Sequence, residues 1–205
     1  MKVEANHTAL ALFDFDGTLT KQDTMFAFIR FAKGNAVFFL GMILLLPFLV
    51  LYKIHLIPNH VAKRWLLTFF FRNKSYEQLV DEGKSFCEKK LPIILRQNGL
   101  EKIKWHQQQN HRVIIVSASW QEWIKPWTDS HNIELICTIP EVKNQKLTGN
   151  FSTPNCNGQE KVNRIKQHVD LSLYKEIFAY GDTKGDLPML SLATQSFYKP
   201  FHKNK

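Results

Sequence analysis

Three short apolar segments, each followed directly by polar residues, constrain the fold of this chain more than any other feature. Residues 8–15, 112–117 and 176–181 have the length of single strands and lack the apolar–polar alternation of a strand with one solvated face. Such continuous apolar strands are buried on both faces, which is typical of a parallel sheet covered by helices. Helical patterns separate the three segments, which indicates βαβ units. The sequence therefore predicts an α/β fold with a parallel sheet.

The remaining elements of the α/β part follow from the same patterns. We predict one further strand over 133–138 and a hairpin over 142–151 that turns near Asn144 and Gly149. Helices are predicted in the segments between the strands, over residues 100–109, 121–130, 160–168 and 187–192.

A different pattern occupies residues 24–95, where long apolar and aromatic stretches without alternation indicate several helices. Breaks between these helices are expected at Gly34, at Pro58 and at 73–75, with Ser75 as an N-cap. The segment is flanked on both sides by the α/β pattern, so it is predicted to be an insertion.

This change of pattern divides the chain into two predicted domains. The α/β core comprises residues 1–20 and 96–205, and a helical cap of residues 21–95 interrupts it. One interrupted core is the simplest architecture, because a chain of 205 residues is short for two independent domains.

The composition excludes several classes of protein. With 44% hydrophobic and 22% charged residues, the chain is not disordered, collagen-like or an all-helical membrane bundle. The net charge of +9 favours anionic partners such as nucleic acid, acidic lipid headgroups or phosphorylated metabolites. No nucleic-acid-binding motif accompanies the charge, so we expect no nucleic-acid partner. Three distant cysteines indicate neither a disulfide framework nor a zinc site, and the first residues lack a secretory pattern, which indicates a cytoplasmic protein.

Charged and hydroxyl side chains follow the three buried strands. Asp14 and Asp16 follow the first strand, Ser117 ends the second, and Asp182 and Asp186 follow the last. In open α/β sheets, ligands bind beyond the carboxyl ends of the strands, so we expect these side chains to converge. Clustered carboxylates repel one another unless a cation lies between them, and oxygen ligands favour a hard ion. Mg²⁺ is therefore the cofactor that this arrangement favours.

Each of these residues also has a purely structural interpretation. The Asp16-Gly17 pair is common in turns, and a lysine near the start of a helix, such as Lys161, is usually a solvated charge. Asp182 and Asp186 are typical of a helix N-terminus. We favour a shared site because the residues occur together at the ends of successive elements.

Four motifs in this order make the chain resemble the haloacid dehalogenase-like (HAD) hydrolase superfamily. They are DxDGT at 14–18, an apolar strand ending in serine at 113–117, a lysine at 161 and GDxxxD at 181–186. A helical cap between the first two motifs is similar to the phosphoserine phosphatase branch. The segments DGTLTKQDT, VSAS, CNGQEK and GDTKGDLPML resemble its subfamily IB, which includes phosphatidylglycerophosphatase C. The resemblance implies a Rossmannoid three-layer α/β/α core with an inserted α-helical cap.

The resemblance also implies a role for each motif residue. Asp14 is the expected nucleophile, which attacks phosphorus and forms an aspartyl-phosphate. Asp16 lies two positions on, on the same side of an extended backbone, and is the expected general acid and base. Ser117 and Lys161 are expected to hold the phosphoryl oxygens.

For the metal, the family pattern implies Mg²⁺ bound by the carboxylates of Asp14 and Asp182 and by the main-chain carbonyl of Asp16. Asp186 is expected to support the waters of the metal or the lysine, and Thr18 to orient the loop and Asp16.

Two positions depart from the phosphoserine phosphatase pattern. Asp23 stands nine positions after the nucleophile, where those enzymes carry a glutamate. It either faces a cation of the substrate or caps the helix that begins near Thr24. Ala118 and Ser119 replace a Gly-Gly pair. Asp23 and Ser119 are therefore candidate substrate-binding residues, and the departures weaken phosphoserine as the expected substrate.

Residues Ala36–Tyr52 form a run of seventeen positions without a charge. As one helix they would extend about 26 Å, less than the roughly 30 Å hydrocarbon core of a membrane, and Pro47 would break that helix. Two shorter buried helices that meet at the proline are an equal alternative. Because a small cap can hide little of an apolar helix, we expect some of this surface to meet lipid, an acyl-bearing substrate or a second subunit.

Basic residues flank this run, and they favour either peripheral contact with the inner face of an anionic membrane or a solvated surface. Lys63, Arg64 and Arg72 are the cap cations that a substrate could reach. The expected function is Mg²⁺-dependent hydrolysis of a small or lipid phosphomonoester. The alternatives are a phosphatidylglycerophosphate phosphatase at the membrane surface, a phosphoserine phosphatase and, remotely, a non-catalytic protein that binds anions or nucleic acid.

Overall fold

The computed structural model describes residues 8–202, whose strands form one five-stranded parallel sheet and one two-stranded hairpin. In chain order the strands are β1 (Ala9–Phe13), β2 (Arg112–Trp120), β3 (Glu134–Thr138), β4 (Pro140–Lys143), β5 (Lys146–Phe151), β6 (Glu176–Gly181) and β7 (Gln195–Tyr198). The parallel sheet has the order β3-β2-β1-β6-β7, and β4 pairs with β5 in the antiparallel direction. The predicted α/β fold with a parallel sheet is confirmed.

Helices cover this sheet and fill the stretch of chain between β1 and β2. In chain order the helices are α1 (Thr24–Leu44), α2 (Leu46–Lys53), α3 (Asn59–Phe71), α4 (Tyr76–Lys89), α5 (Leu91–Ile94), α6 (Gln97–Gln108), α7 (Lys125–Ser130), α8 (Gln159–His168) and α9 (Leu187–Leu190). Helices α1 to α5 lie where the sequence predicts the inserted cap. The bounds of the cap domain, 21 and 95, stay a prediction.

The central strand β1 is buried on both faces, as its lack of alternation predicts. All of its residues are buried. Ala9, Ala11 and Phe13 pack in one hydrophobic cluster, whereas Leu10 and Leu12 pack in another. The sheet therefore has a core on each side, which produces the three-layer α/β/α arrangement.

The cap helices pack onto the turn that follows β2. Phe28 of α1 stacks on Trp123 of this turn, with ring centroids 4.7 Å apart, and also contacts Phe71 of α3. Gly83 of α4 lies so close to the turn that a Cβ there would be 2.0 Å from the carbonyl oxygen of Glu122. These contacts connect the cap to the strand that ends in the second motif.

The structure corrects several predictions of local structure. The helix predicted over 121–130 is divided into a 3₁₀ turn and α7, because Pro126 in the first turn of α7 has no N–H with which to continue the preceding turn. The hairpin turns at Asn144 and Gln145, both with positive φ. Gly149 instead lies within β5, where helix α3 leaves no room for a side chain. Strand β7 was not predicted, because its mostly exposed residues form no apolar run.

The apolar run Ala36–Tyr52 is divided between two helices, and most of its large side chains are exposed. Helix α1 has non-helical φ and ψ at Gly34, as predicted, and α2 has Pro47 in its first turn. The prediction that two helices meet at the proline is right. The alternative in which both helices are buried does not describe the structure: Ile43 is 67% exposed and no residue of α2 is buried. The surface that was expected to stay available is exposed, because the small cap cannot enclose both helices.

Among the described residues, α1 is the one helix long and apolar enough to cross a membrane. Of the most apolar 18-residue stretch of this helix, 22% is buried inside the fold. Length and composition alone are weak support for a membrane span, and the break at Gly34 interrupts the helix.

Candidate active site

The loop after β1 forms the first wall of the site. The N–H of Asp14 donates to the carbonyl of Tyr180 at 2.9 Å and so continues the pairing of β1 with β6. Gly17 has a φ of 84°, and a Cβ there would lie 2.5 Å from Oδ2 of Asp182. Its N–H donates to Oγ1 of Thr20 at 3.1 Å, which closes the turn. Glycine at this position therefore lets the loops after β1 and β6 approach each other.

Lys161, near the start of α8, is the buried cation of the site. Its Nζ donates to Oδ1 of Asp14 at 2.6 Å and to Oδ1 of Asp186 at 2.7 Å. It also donates to the carbonyl of Val116 at 2.8 Å, and the residue is 1% exposed. Burial by itself lowers the pKa of Lys161, but the carboxylates of Asp14 and Asp186 outweigh it and raise that pKa above its ordinary value. The lysine therefore stays protonated, and it links the first, third and fourth motifs.

The carboxylate of Asp14 is buried and only half satisfied. Its Oδ1 accepts from Lys161, whereas its Oδ2 has no hydrogen-bond partner among the described residues. Burial raises the pKa of Asp14 to about 7, and the ammonium of Lys161 opposes this rise. A buried, unpaired carboxylate oxygen is costly, so this atom points to a ligand.

Three carboxylates could hold a divalent cation. One oxygen each from Asp14, Asp182 and Asp186 lies within 4.8 Å of the other two. Thr18 was expected to orient Asp16, but its Oγ1 donates to Oδ1 of Asp182 at 3.1 Å. Burial raises the pKa of Asp182. The carboxylate donors and the unpartnered Oδ2 of Asp14 fit a hard ion such as Mg²⁺. The carboxylate of Asp16 is bound elsewhere, so only its main-chain carbonyl is left for the predicted metal contact.

Asp16 is held by hydroxyl and backbone donors on both carboxylate oxygens. Its Oδ1 accepts from the N–H of Thr24 at 2.6 Å and from Oγ1 of Thr24 at 2.5 Å. Its Oδ2 accepts from Oγ of Ser117 at 3.0 Å and from Oγ of Ser119 at 2.8 Å. The structure therefore places the hydroxyls of Ser117 and Ser119 on the carboxylate of Asp16.

Asp186 and Asp23 each combine a structural contact with a place in the site. Oδ2 of Asp186 accepts from the N–H of Thr183 at 2.9 Å, while its Oδ1 accepts from Lys161. Asp23 caps α1 by accepting from the N–H of Met25 at 2.8 Å, so the capping interpretation describes its contacts. Asp23 also lines the cavity between the motif residues and the cap, so a role in substrate binding stays a prediction.

A cavity of about 490 Å³ joins the motif residues to the cap. Its polar wall includes the carboxylates of Asp14, Asp16 and Asp186 and the ammonium groups of Lys161 and Lys63. Lys63 of α3 donates through Nζ to the carbonyl of Ala118 at 2.7 Å. Of the three candidate cap cations, Lys63 is the one that lines this cavity, whereas Arg64 and Arg72 line neighbouring grooves. The apolar wall is supplied by cap side chains, among them Phe26, Leu49, Tyr52 and Leu66.

Sequence reasoning missed three residues of the site. Thr24 was considered only as the start of a helix, yet it donates twice to Asp16. Asn157 lines the cavity, and His202 donates through Nε2 to the carbonyl of Gly17 at 3.1 Å. The segment DGTLTKQDT contains Thr24, so its hydroxyl was a usable signal. No signal in the sequence indicated His202, which reaches the site from the last described residues.

Comparison with known protein families accounts for this arrangement. A family model described as haloacid dehalogenase-like hydrolase matches residues 11–191. The chain belongs to this family. The predicted superfamily is thereby confirmed, and as a HAD-like hydrolase the chain is an enzyme of the hydrolase class.

Relatives of this HAD-like hydrolase match it along nearly its whole length. Protein CicA of Caulobacter vibrioides is 27% identical over 204 residues, which cover 98% of this chain and 90% of CicA. A crystal structure of a protein of unknown function from Bordetella pertussis Tohama I has a TM-score of 0.79 at 21% identity, covering 93% of this chain and 89% of that chain. A phospho-aspartyl intermediate analogue of phosphoserine phosphatase has a TM-score of 0.61 at 18% identity, covering 93% and 85%. The two structures share the fold of this HAD-like hydrolase, as expected of the phosphoserine phosphatase-like branch.

Proposed function

We propose that the protein is a phosphomonoester hydrolase that forms an aspartyl-phosphate on Asp14. The observation that carries the proposal is the position of Asp14, Asp16 and Lys161 on one cavity, with one buried oxygen of Asp14 unpartnered among the described residues. Membership of a hydrolase family disfavours the non-catalytic alternative. The structure of a phospho-aspartyl intermediate analogue of phosphoserine phosphatase has the same fold, which supports the same chemistry here.

The two aspartates divide the reaction between them. A carboxylate oxygen of Asp14 forms a bond to phosphorus as the bond between phosphorus and the ester oxygen breaks. Asp16, protonated at that moment, donates its proton to the leaving oxygen, and an alcohol departs. Asp16 then accepts a proton from a water, whose oxygen attacks the phosphorus of the aspartyl-phosphate. Inorganic phosphate leaves, and both aspartates return to their starting state.

The remaining motif residues hold charge and position the acid. Lys161 is protonated, and its ammonium group lies 2.6 Å from Oδ1 of Asp14. Its positive charge can therefore stabilise the phosphoryl oxygens bound beside Asp14. Ser117 donates to Asp16, and its predicted contact with the phosphoryl group requires that its hydroxyl turns when substrate binds. Ser119 is proposed to position Asp16 as well. Thr18 would support Asp182, with which it already forms a hydrogen bond.

Mg²⁺ is the proposed cofactor. The carboxylates of Asp14 and Asp182 and the main-chain carbonyl of Asp16 would hold it, with Asp186 supporting them through Lys161. When bound, the ion supplies positive charge that offsets the charge of the transferring phosphoryl group.

Asp14→Asn tests the nucleophile. We expect the turnover of p-nitrophenyl phosphate to fall by more than about a hundredfold, because an amide oxygen is a poor nucleophile. Asp129→Asn, which changes an exposed aspartate paired with Lys125, is the matched control and should retain full turnover. If Asp14→Asn keeps more than a few per cent of the wild-type rate while folded by circular dichroism, the nucleophile assignment is wrong.

Removal of the metal tests the cofactor. EDTA should abolish wild-type turnover, and added Mg²⁺ should restore it. Turnover that survives EDTA would contradict the proposed cofactor.

A lipid phosphate such as phosphatidylglycerophosphate is the second candidate substrate, beside a small phosphorylated metabolite. The apolar wall of the cavity favours it, because Leu49, Tyr52 and Leu66 offer a surface that an amino acid phosphate would not fill. Rates for phosphoserine, glycerol 3-phosphate and phosphatidylglycerophosphate in mixed micelles separate these candidates. A preference for phosphoserine would exclude the lipid candidate.

A further inference from the structure

The outer end of the cap carries most of the exposed apolar surface of the described chain. We call residues 37–56 the cap apex; they comprise the last part of α1, all of α2 and the turn after it. Of the nineteen large hydrophobic side chains that are exposed in the described residues, twelve belong to the cap apex: Val37, Phe39, Leu40, Ile43, Leu44, Leu46, Phe48, Val50, Leu51, Tyr52, Ile54 and Leu56. Exposed apolar side chains concentrated in one segment in this way are typical of an interaction site.

The charges around the cap apex have one sign. Residues 24–76 contain no aspartate or glutamate. The same segment carries seven of the lysines and arginines: Arg30, Lys33, Lys53, Lys63, Arg64, Arg72 and Lys74. Five of these cations lie in α1 to α3, the helices that form and border the cap apex, whereas Arg72 and Lys74 follow α3 and Lys74 pairs with Glu82. A hydrophobic surface bordered by cations is complementary to an anionic lipid surface, where apolar side chains enter the interface and cations meet the headgroups.

The cap apex is continuous with the catalytic cavity. Helix α2 exposes Leu46, Val50 and Leu51 on the apex, and its Leu49 and Tyr52 line the cavity that contains Asp14. A surface that binds at this helix would therefore lie beside the mouth of the cavity.

We propose that the cap apex docks on an anionic lipid bilayer, so that the mouth of the catalytic cavity faces the lipid headgroups. The proposal rests on the proposed function, because it identifies the substrate class as a phosphomonoester held at a membrane interface. Docking is peripheral: the unbroken part of α1 after Gly34 has ten residues and a length of about 15 Å, half of a hydrocarbon core of about 30 Å. The apex therefore lies in the interface instead of spanning the bilayer.

Vesicle flotation tests the docking surface. The full-length protein is mixed with phosphatidylcholine vesicles that contain or lack phosphatidylglycerol, at low and at high salt. We expect binding to the phosphatidylglycerol vesicles that weakens at high salt, because the cations of the cap contribute to it. Ile43→Glu combined with Leu44→Glu should lower the partition coefficient at least about tenfold, since two charges then enter the apolar interface.

The matched control is Ile93→Glu combined with Leu173→Glu, which places the same charges at side chains that are 63% and 57% exposed outside the cap apex. This variant should bind vesicles as the wild type does, and both double variants should hydrolyse soluble p-nitrophenyl phosphate at the wild-type rate. Asp14→Asn should also bind vesicles as the wild type does. The docking test can therefore be interpreted even if the catalytic proposal fails.

Three outcomes overturn the proposal. The first is a wild-type protein that does not float with anionic vesicles, and the second is equal binding by the two double variants. The third is a wild-type dimer that Ile43→Glu with Leu44→Glu converts to a monomer, without vesicle binding by either form. That result would assign the cap apex to a second copy of the chain.

Discussion

Asp16, the proposed acid, is held by residues from two distant parts of the chain. Thr24 starts the first cap helix, whereas Ser117 and Ser119 belong to β2, the strand that contains the second motif. Together they bind both carboxylate oxygens and restrict rotation of the side chain. A proton donor needs this restriction, because misplacement by a fraction of an ångström lowers the rate of proton transfer. Thr24 therefore connects the position of the cap to the position of the Asp16 carboxylate.

Thr24→Val tests this connection, since it removes the hydroxyl and keeps the backbone N–H and the shape of the side chain. We expect kcat for p-nitrophenyl phosphate to fall about tenfold with little change in KM, because Asp16 loses one donor. The free energy of unfolding should fall by about 1–2 kcal/mol, since Nε1 of the buried Trp123 loses its acceptor. Steady-state kinetics and urea unfolding measure the two effects.

Thr128→Val is the control for Thr24→Val. Thr128 is also fully buried, and its hydroxyl donates to the carbonyl of Lys125 at 3.1 Å, outside the cavity. This variant should lose stability and keep its kcat. Equal kcat values for the two variants would mean that Thr24 does not position the acid.

At the scale of secondary-structure elements, helix α4 holds the cap against the core through a close backbone contact. Gly83 faces the carbonyl of Glu122 in the turn after β2, and Leu79 and Phe86 on the same helix are fully buried. A glycine inside a helix is unfavourable by about 1 kcal/mol relative to alanine, so packing is the reason for its presence. The site lies where cap and core meet, and its geometry depends on this contact.

Gly83→Ala should destabilise the protein despite the better helix propensity of alanine. The added Cβ would lie 2.0 Å from a backbone oxygen, which cannot rotate away, so α4 must shift. Overpacking of this kind costs about 1–3 kcal/mol, against a gain of about 1 kcal/mol in helix propensity. Because the contact is with backbone, we expect the upper part of this range, and urea unfolding should show a net loss of up to about 2 kcal/mol. Lys84→Ala, on the exposed face of the same helix, should change stability little; a stabilised Gly83→Ala protein would contradict the packing argument.

At the scale of the whole molecule, the structure separates two chemical environments. Carboxylates of the α/β core line the cavity, whereas α1 to α3 bear cations and exposed apolar side chains and have no acidic residue. The core by contrast buries a neutral imidazole under the sheet. His106 of α6 is fully buried, and its ring nitrogens lie 2.9 Å from the hydroxyl of Tyr180 and 2.8 Å from Nδ1 of His111.

This buried histidine predicts the response of stability to acid. Burial, together with His111 and Lys102, lowers the pKa of His106 to about 3. In the unfolded chain a histidine has a pKa of about 6.5, so between these values the unfolded state binds more protons and stability falls as the pH falls. From pH 7 to pH 5 the contribution of His106 is a loss of about 2 kcal/mol.

Urea unfolding of the wild type and of His106→Gln at pH 7 and pH 5 measures this contribution. The variant is expected to be less stable at pH 7, and the difference between the two proteins should shrink by about 2 kcal/mol at pH 5. His55→Gln, which changes an exposed histidine, is the matched control. An unchanged difference between wild type and His106→Gln would show that His106 is protonated in the folded protein at pH 5.

The order of elements and the motif residues could be predicted from the sequence alone. The strand predicted over 176–181 has the same bounds as β6, and the break at Gly34 lies where it was expected. These features are local: a strand buried on both faces needs a continuous apolar run, and a positive φ favours glycine. The motifs follow strand ends for the same reason, so their convergence at one edge of the sheet could be anticipated.

The contacts within the site were decided by the tertiary structure alone. Ser117 donates to Asp16 across 101 positions of the chain, and Lys63, in place of Arg64, faces the cavity. The exposure of the cap apex was also decided by the tertiary structure. An apolar run has the same sequence whether or not a neighbouring helix covers it. Local patterns report the preference of a segment for burial, whereas hydrogen-bond partners and covered surfaces depend on which distant segments the whole fold brings within a few ångströms.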